Sequence, residues 1–190
     1  MLDPTIRLPL TELYHLRAIR FADAAAWYAY LSLPEVYGPT AWNLKGVEDL
    51  YPLMKNYESS DEAASVHFAI VRSASDALVG TVGFHALSLV NRSAELSYDL
   101  STAVQRQGLA TLAARRAIEW MVTCRGFNRI QALAIVDNRR STRVMERCGM
   151  RHEGVMRQFR NVRGDLRDYH LYAVLAEDVL ASGWPLSMHA

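Results

Sequence analysis

The sequence predicts an α/β (α+β) protein with a mixed, mostly antiparallel twisted sheet of about seven strands and helices on both faces. Between residues 66 and 100, three stretches rich in β-branched and aromatic residues are separated by short turn signals, which is typical of an antiparallel meander. Over residues 109–124 the apolar period lengthens to that of a helix, which Gly126 ends. An apolar run at 130–136 then returns to strand length. A strand, helix and strand in this order after a meander favour a mixed sheet.

The remaining segments supply the outer strands and the other helices. An alternating pattern predicts a first strand at Leu13–Ile19, and Asp23 is expected to cap a helix that ends before Pro34. The other predicted elements are a loop at 33–43, a helix at about 44–57, a helix at 141–148, and strands at 151–160 and 167–175 joined by a turn at 163–165.

Length and composition indicate one domain over residues 1–190. The 190 residues are 51% hydrophobic and 22% charged, which excludes a disordered tail, a collagen and a disulfide-rich scaffold. Cys124 and Cys148 lack metal-ligand spacing and are expected to be small buried core residues. The sequence shows no signal peptide and no apolar run long enough to span a membrane, so we expect a cytoplasmic protein without a membrane partner.

The net charge of +1 conceals two unequal halves. Residues 1–100 carry 7 basic and 12 acidic side chains, whereas residues 101–170 carry 14 arginines, no lysine and 6 acidic side chains. Guanidinium groups bind phosphates and carboxylates in a bidentate manner, so the second half favours an anionic ligand. The alternative is a pair of solvated, arginine-rich helices. No nucleic-acid partner is expected, because the chain has no RNP-like aromatic motif or recognisable helix-turn-helix.

The most informative motif is Gln105-Arg-Gln-Gly-Leu-Ala110, which lies between a predicted strand and the amphipathic helix. Gly108 permits backbone geometry that other residues resist, and the first amides of the helix suit a pyrophosphate. Arg106, with Arg139 or Arg140, is placed to add positive charge. Taken alone, the glycine is also consistent with simple turn chemistry.

This motif matches the (Gln/Arg)-x-x-Gly-x-(Gly/Ala) signature of the GNAT superfamily of N-acetyltransferases, and the chain resembles that superfamily from about Leu13 to Val179. It is most similar to the RimJ/RimL branch of ribosomal-protein alanine acetyltransferases. Three further segments carry the resemblance, at residues 91–100, at 136–150, and at 153–157 followed by 164–172.

The resemblance implies the cofactor acetyl-coenzyme A (acetyl-CoA) and a GNAT fold. In that fold a bulged fourth strand and the parallel fifth strand part into a V, which holds the pantetheine arm. Here these strands correspond to Glu95–Leu100 and Ile130–Val136. The implied cofactor-binding residues are Ser97, Asp99 and Leu100 on the strand, Gln105, Arg106, Gln107, Gly108, Leu109, Ala110 and Thr111 at the phosphate turn, and Asn138 and Arg140 beyond the fifth strand. Asn138 is equally suited to cap a helix.

The implied reaction is transfer of an acetyl group from the thioester to a primary amine, which is a protein amino terminus, an amino acid conjugate or a small-molecule amine. Glu95 is the first candidate for the base, acting directly or through water; its alternative is an exposed glutamate paired with an arginine. Ser141 aligns with a serine near the cofactor sulfur in RimL-like enzymes, and its alternative is a helix cap. A backbone amide near Tyr98 is the expected oxyanion donor, with the Tyr98 side chain as a secondary candidate.

His85 is an alternative base or substrate contact, and a structural role for it stays open. Tyr37, Trp42, Asp168 and Tyr169 are expected to shape the acceptor pocket. The chain departs from many relatives at Asp99, where they carry an aromatic residue, and at Met150, where they carry Phe. The carboxylate of Asp99 beside the cofactor strand puts exact copying of the acyl pocket in doubt, and the arginine-rich half leaves open a larger acyl group such as succinyl. The alternative to an enzyme is a non-catalytic acyl-CoA-sensing module that retains the fold. The resemblance also leaves a homodimer open.

Overall fold

A single mixed sheet of eight strands organises the computed structural model, which describes residues 2–183. The strands are β1 (Arg7–Pro9), β2 (Tyr14–Ala18), β3 (Val66–Arg72), β4 (Leu78–Ser88), β5 (Ser93–Leu100), β6 (Arg129–Ile135), β7 (Arg151–Val162) and β8 (Asp165–Leu175), in the order β1-β2-β3-β4-β5-β6-β8-β7. The helices are α1 (Ala24–Leu31), α2 (Pro34–Tyr37), α3 (Tyr51–Tyr57), α4 (Leu109–Thr123), α5 (Arg139–Arg147) and α6 (Ala176–Ala181).

The predicted fold class is confirmed, including the antiparallel meander of β3, β4 and β5 and the parallel pairing of β5 with β6. The strand count is eight instead of seven, because β1 has only three residues and is too short to show an alternating pattern. The V therefore lies between β5 and β6.

Three local predictions need correction. The helix predicted over 44–57 is α3 alone, preceded by a 3-10 turn at Val47–Leu50, because Pro52 fits only the first turn of a helix. The loop predicted over 33–43 contains α2, which starts at Pro34. The helix predicted from Ser141 begins at Arg139, because Asn138 is the cap: its side-chain oxygen accepts the backbone N–H of Ser141 at 3.2 Å.

Asp23 occupies the predicted N-cap position of α1, but its side chain makes no capping hydrogen bond there, because it is committed elsewhere. Its carboxylate accepts two hydrogen bonds from the Arg17 guanidinium, both at 2.8 Å, and one from the backbone N–H of Arg20. Arg17 is only 3% exposed and also donates to Asp76 at 2.9 Å. This ion-paired group fixes the start of α1 against β2.

The core lies on both faces of the sheet. On one face α4 packs against Phe68, Phe84 and Leu96, and on the other α1 and α3 pack against Ala69 and Val71. Cys148 is buried as predicted. The prediction for Cys124 was wrong, because this residue lies beyond the last turn of α4 and is exposed. Among the described helices, none is long and apolar enough to cross a membrane.

The separation of β5 from β6 positions the site. Their pairing runs only from Ser93 opposite Arg129 to Leu96 opposite Ala132, although both strands continue beyond it. From Glu95 to Leu100, β5 pairs with β4 in continuous register, so the expected bulge in this strand is absent from the described chain. The register shift lies instead on β4 after His85, where Ala86 has a φ of 51°.

Candidate active site

The gap between β5 and β6 opens into a cavity of about 380 Å³. Its walls are residues 96–99 of β5, residues 133–135 of β6, the 39–42 segment and the first turns of α5. Of the predicted site residues, the cavity brings together Trp42, His85, Glu95, Ser97, Tyr98, Asp99, Asn138, Ser141 and Tyr169. Backbone groups of β5 beyond Leu96 face this gap without a ladder partner on β6, as the resemblance implies for the cofactor strand.

Glu95 is paired, but it is not the exposed glutamate of the alternative interpretation. Its side chain is 8% exposed, and one oxygen accepts from His85 Nε2 and from Arg160 Nη2, each at 3.0 Å. Burial raises the pKa of Glu95, but the hydrogen bonds and charges of His85 and Arg160 outweigh it and hold the pKa below the usual value. Glu95 is therefore a carboxylate near neutral pH.

The ionised carboxylate also determines the tautomer of His85. A carboxylate only accepts hydrogen bonds, so the shared proton lies on His85 Nε2 and leaves Nδ1 as the basic nitrogen. Both side chains line the cavity, but His85 is 40% exposed, whereas Glu95 is 8% exposed. The sequence did not indicate that His85 would be the more exposed of the two residues or that it would donate to Glu95.

Tyr98 and Ser141 join the two sides of the V. The Tyr98 hydroxyl donates to the backbone carbonyl of Ser141 at 2.9 Å, and burial raises the pKa of Tyr98, so it stays protonated. Because Ser141 uses its backbone N–H for the Asn138 cap and its carbonyl for Tyr98, neither contact involves its hydroxyl. Ser141 lines the cavity with that hydroxyl outside the helix-capping role.

The 38–42 segment is held in place by two polar side chains. The Arg163 guanidinium donates to the carbonyls of Gly38, Thr40 and Trp42 at 2.8–3.0 Å. Asn138 donates its side-chain amide to Pro39 O at 3.0 Å, so it serves as helix cap and loop anchor together. Sequence reasoning missed Arg163, because backbone carbonyls 121–125 residues away leave no signature.

Two predicted acceptor residues do not line the cavity. Tyr37 lies under Arg163, with its ring centroid 4.5 Å from the guanidinium carbon. The Asp168 carboxylate accepts the backbone N–H of Gln158 at 2.7 Å and serves the β7–β8 hairpin. Both residues support neighbouring segments of the cavity wall.

The turn before α4 has the geometry of an anion site. Arg106 and Gly108 have φ values of 64° and 79°, and the first helical hydrogen bond runs from Leu112 N to Gly108 O. The amides of Leu109, Ala110 and Thr111 therefore precede the first intrahelical donor and carry the positive end of the helix dipole. Among the described residues, Gln107 donates no hydrogen bond at this turn.

Gln105 connects this turn to the neighbouring elements. Its side-chain amide donates to Leu100 O at 3.0 Å, and its carbonyl accepts from Arg140 Nη1 at 3.4 Å. The fold thus brings Arg140 to the turn, whereas Arg139 lines a separate depression with Arg143 and His170.

The carboxylate of Asp99 lies on the α1 side of β5. It accepts from the Tyr30 hydroxyl at 2.5 Å, the Thr81 hydroxyl at 3.1 Å and Trp27 Nε1 at 3.2 Å. Burial, partly offset by these hydrogen bonds, raises the pKa of Asp99 to about 6. The other departure, Met150, is a core residue that is 4% exposed.

Comparison with known proteins agrees with this geometry. The acetyltransferase (GNAT) domain model matches residues 14–151, which include β2 to β6, the phosphate turn and α5. The chain belongs to the GNAT acetyltransferase family. Members of this family use acetyl-CoA and transfer its acetyl group to amines.

Two curated relatives and two solved structures illustrate the likeness. An N-acetyltransferase, YoaA of Bacillus subtilis, is 30% identical over 169 residues, covering 87% of this chain and 94% of the relative. The ribosomal-protein-serine acetyltransferase of Escherichia coli is 30% identical over 98 residues, covering 52% and 55%. The structure of the ribosomal-protein acetyltransferase RimL with coenzyme A has a TM-score of 0.80 at 20% identity, covering 90% and 98%. The Vibrio cholerae spermidine N-acetyltransferase with coenzyme A and spermine has a TM-score of 0.79 at 19% identity, covering 90% and 99%.

The residues present in this GNAT domain fit acetyl-CoA. The unpaired edge of β5 offers hydrogen bonds to an amide-bearing arm, and the turn at Gly108 offers backbone N–H groups with Arg140 beside it. A Cβ built on Gly108 meets no atom within 4 Å, so the approach to these amides is open.

Proposed function

We propose that this GNAT protein acetylates a primary amine in the cavity between β5 and β6, with His85 as proton acceptor and Glu95 as the group that positions it. The observation that supports this most strongly is the hydrogen bond between His85 and the buried Glu95 at the wall of that cavity. Glu95 is a poor direct base, because its pKa lies below the usual value, its side chain is 8% exposed and one of its oxygens already accepts from His85 and Arg160.

In the proposed reaction, different residues of the cavity act on the amine and on the departing sulfur. Acetyl-CoA, when bound, supplies the thioester whose carbonyl carbon the neutral amine attacks. His85 Nδ1 accepts the proton that the attacking nitrogen loses, and Glu95 stabilises the resulting imidazolium. A backbone N–H near Tyr98 donates to the carbonyl oxygen as it becomes negative. The Ser141 hydroxyl donates a hydrogen bond to the departing thiolate and keeps its own proton; the thiolate takes a proton from solvent, and His85 returns its proton to solvent. Tyr98 holds the first turn of α5 in place.

The proposed acceptors are protein amino termini, amino acid conjugates and small amines. The test is a thiol-release screen with acetyl-CoA against peptides, polyamines, amino acids and aminoglycosides, repeated with succinyl-CoA. Release with at least one amine class supports the proposal. Binding of coenzyme A without release in any class contradicts it and favours an acyl-CoA-sensing module.

The proposal also covers the domain organisation, cellular location and assembly of the protein. We propose one acyltransferase domain over residues 1–190 that acts in the cytoplasm without nucleic acid, and a homodimer is the assembly to test by light scattering. The termini of this range, Met1 and residues 184–190, lie outside the described residues.

Gly108→Ala is expected to raise the KM for acetyl-CoA about 10-fold with little change in kcat. Alanine at a φ of 79° costs roughly 1–2 kcal/mol, and relaxation of that strain moves the amides that hold the phosphates. Gly126→Ala is the matched control, because Gly126 has a φ of 68° and an equally open Cβ position, but ends α4 far from the turn. An equal rise in KM for both variants would contradict the assignment of the turn.

Arg163→Ala is expected to raise the KM for the amine about 10-fold and to leave the KM for acetyl-CoA unchanged. The change removes the donors of three carbonyls in the segment that walls the cavity. Arg167→Ala is the control on the same hairpin, since Arg167 pairs with the 79%-exposed Asp137. Steady-state kinetics with each substrate varied in turn give the measurement. An unchanged amine KM in Arg163→Ala would show that the loop does not depend on this anchor.

A further inference from the structure

Part of the cavity lining combines aromatic rings with the carboxylate of Asp99. Trp42, Tyr57, His67 and Asp99 line the cavity there. The Tyr57 and His67 rings stack at 4.6 Å with an interplanar angle of 11°. Burial, with a smaller contribution from His85, lowers the pKa of His67 to about 3, so this ring is uncharged. The stacked rings of Tyr57 and His67 are therefore both uncharged and do not repel a cation.

Asp99 has neutral partners only. Among the described residues, its side-chain donors are the hydroxyls of Tyr30 and Thr81 and the indole N–H of Trp27, and the Thr81 backbone also bonds to it. Thr81 in turn contacts His67 Nε2 at 2.9 Å, which continues the neutral network. Across residues 2–183, none of the ion pairs includes Asp99, whereas Glu95 is balanced by Arg160.

Because Asp99 has no cationic partner among the described residues and Glu95 has one, Asp99 is the source of uncompensated negative charge at the cavity. With a pKa of about 6, Asp99 is mostly ionised at the slightly alkaline pH at which amines react. A carboxylate in a partly dehydrated site without a cation is costly, and a bound cation removes that cost. Aromatic faces attract alkylammonium groups by the cation–π interaction. The strand spacing places Asp99 roughly 13 Å along β5 from Glu95, so the two carboxylates serve different parts of a ligand.

We infer that Asp99, with Trp42 and Tyr57, forms a subsite for an alkylammonium group that the acceptor carries in addition to the amine that is acetylated. This inference rests on the proposed function and narrows its substrate class to acceptors with a second positive charge. Asp99 determines specificity at this subsite and takes no part in the proton transfers at His85.

The test compares three acceptors of equal chain length: 1,5-diaminopentane, 1-aminopentane and 5-aminopentanoate. For the wild-type protein we expect kcat/KM for the diamine, divided by two for its equivalent amines, to exceed that of 1-aminopentane about 10-fold. The anionic 5-aminopentanoate should be the poorest acceptor. In Asp99→Asn the diamine preference should fall to within about 2-fold of unity. The KM for acetyl-CoA should be unchanged, because the cofactor contacts implied for this part of β5 are made by its backbone, which the substitution keeps.

Glu177→Gln is the matched control, because it removes one negative charge from the exposed face of α6. It should keep the full diamine preference. Equal wild-type rates for all three acceptors would overturn the subsite even if Asp99→Asn does not fold. A preserved diamine preference in folded Asp99→Asn would also overturn it. Absence of thiol release with every amine tested would instead contradict the proposed function, so the two failures are distinguishable.

Discussion

His85→Gln is expected to lower kcat by about 10²–10⁴-fold, the range for loss of a general base. Glutamine retains a donor for the Glu95 carboxylate, so the hydrogen bond at 3.0 Å has a replacement, but its amide cannot accept a proton at neutral pH. Glu95→Gln should cost less, about 10-fold to 10²-fold, because His85 remains as the base without its positioning partner. His152→Gln is the control, since His152 pairs with His170 outside the cavity.

The pH dependence of kcat/KM in the two variants distinguishes His85 from Glu95 as the base. His85 and Arg160 hold the pKa of Glu95 below its usual value despite burial, so Glu95 loses its proton well below neutral pH. An acidic limb of kcat/KM near neutral pH, expressed per concentration of neutral amine, therefore does not report the Glu95 carboxyl. The limb should be absent from His85→Gln and present in Glu95→Gln. If instead Glu95→Gln abolishes the limb and His85→Gln retains kcat, Glu95 is the direct base. Titration calorimetry with coenzyme A checks that both variants still bind the cofactor.

Local patterns explain what the sequence could predict. The individual strands of the meander and the phosphate turn depend on patterns within about ten positions of the chain, where the apolar period and glycine geometry are informative. The parallel pairing of β5 with β6 joins residues 36 positions apart, such as Ser93 and Arg129, and was predicted from the order strand, helix, strand. Glu95, Tyr98 and Ser141 were found through their motifs, and the structure places them around one cavity.

The features of the site that the sequence did not predict depend on contacts between residues far apart in the chain. Arg163 reaches carbonyls of the 38–42 segment from the far hairpin, and Asp99 takes donors from α1 and β4. Neither contact alters the apolar pattern of the segment that carries Arg163 or Asp99. Tyr37 and Asp168 were predicted to shape the pocket because of their segments, but their side chains bond within the wall instead of lining it. Which side of a strand carries a polar group can be predicted, whereas its partner cannot.

Arg17→Met is expected to lower the free energy of unfolding by about 3–5 kcal/mol, the range for breaking a buried ion pair by removing one partner. Arg17 is 3% exposed, and its guanidinium satisfies both oxygens of Asp23, one oxygen of Asp76 and the carbonyl of Ala18. Methionine fills a similar volume but leaves the Asp23 carboxylate, which is 10% exposed, without its cation. At roughly 2–4 °C per kcal/mol for a domain of this size, the thermal midpoint should fall by about 6–20 °C.

Two further variants test whether the uncompensated charge is the cause. Arg20→Met should cost less than about 1 kcal/mol, because Arg20 and Asp76 pair at 49% and 41% exposure, where solvent screens the interaction. Arg17→Met combined with Asp23→Asn should recover part of the loss, because the buried charge is then gone while the side-chain oxygen can still accept the Arg20 backbone N–H. Equal losses in Arg17→Met and Arg20→Met would indicate that packing at β2, and not the buried carboxylate, sets the stability of this end of the sheet. Asp23 directly precedes α1, and α1 carries the Trp27 and Tyr30 side chains that donate to Asp99. A loosened start of α1 should therefore also weaken the diamine preference, which connects the ion pair to the acceptor cavity.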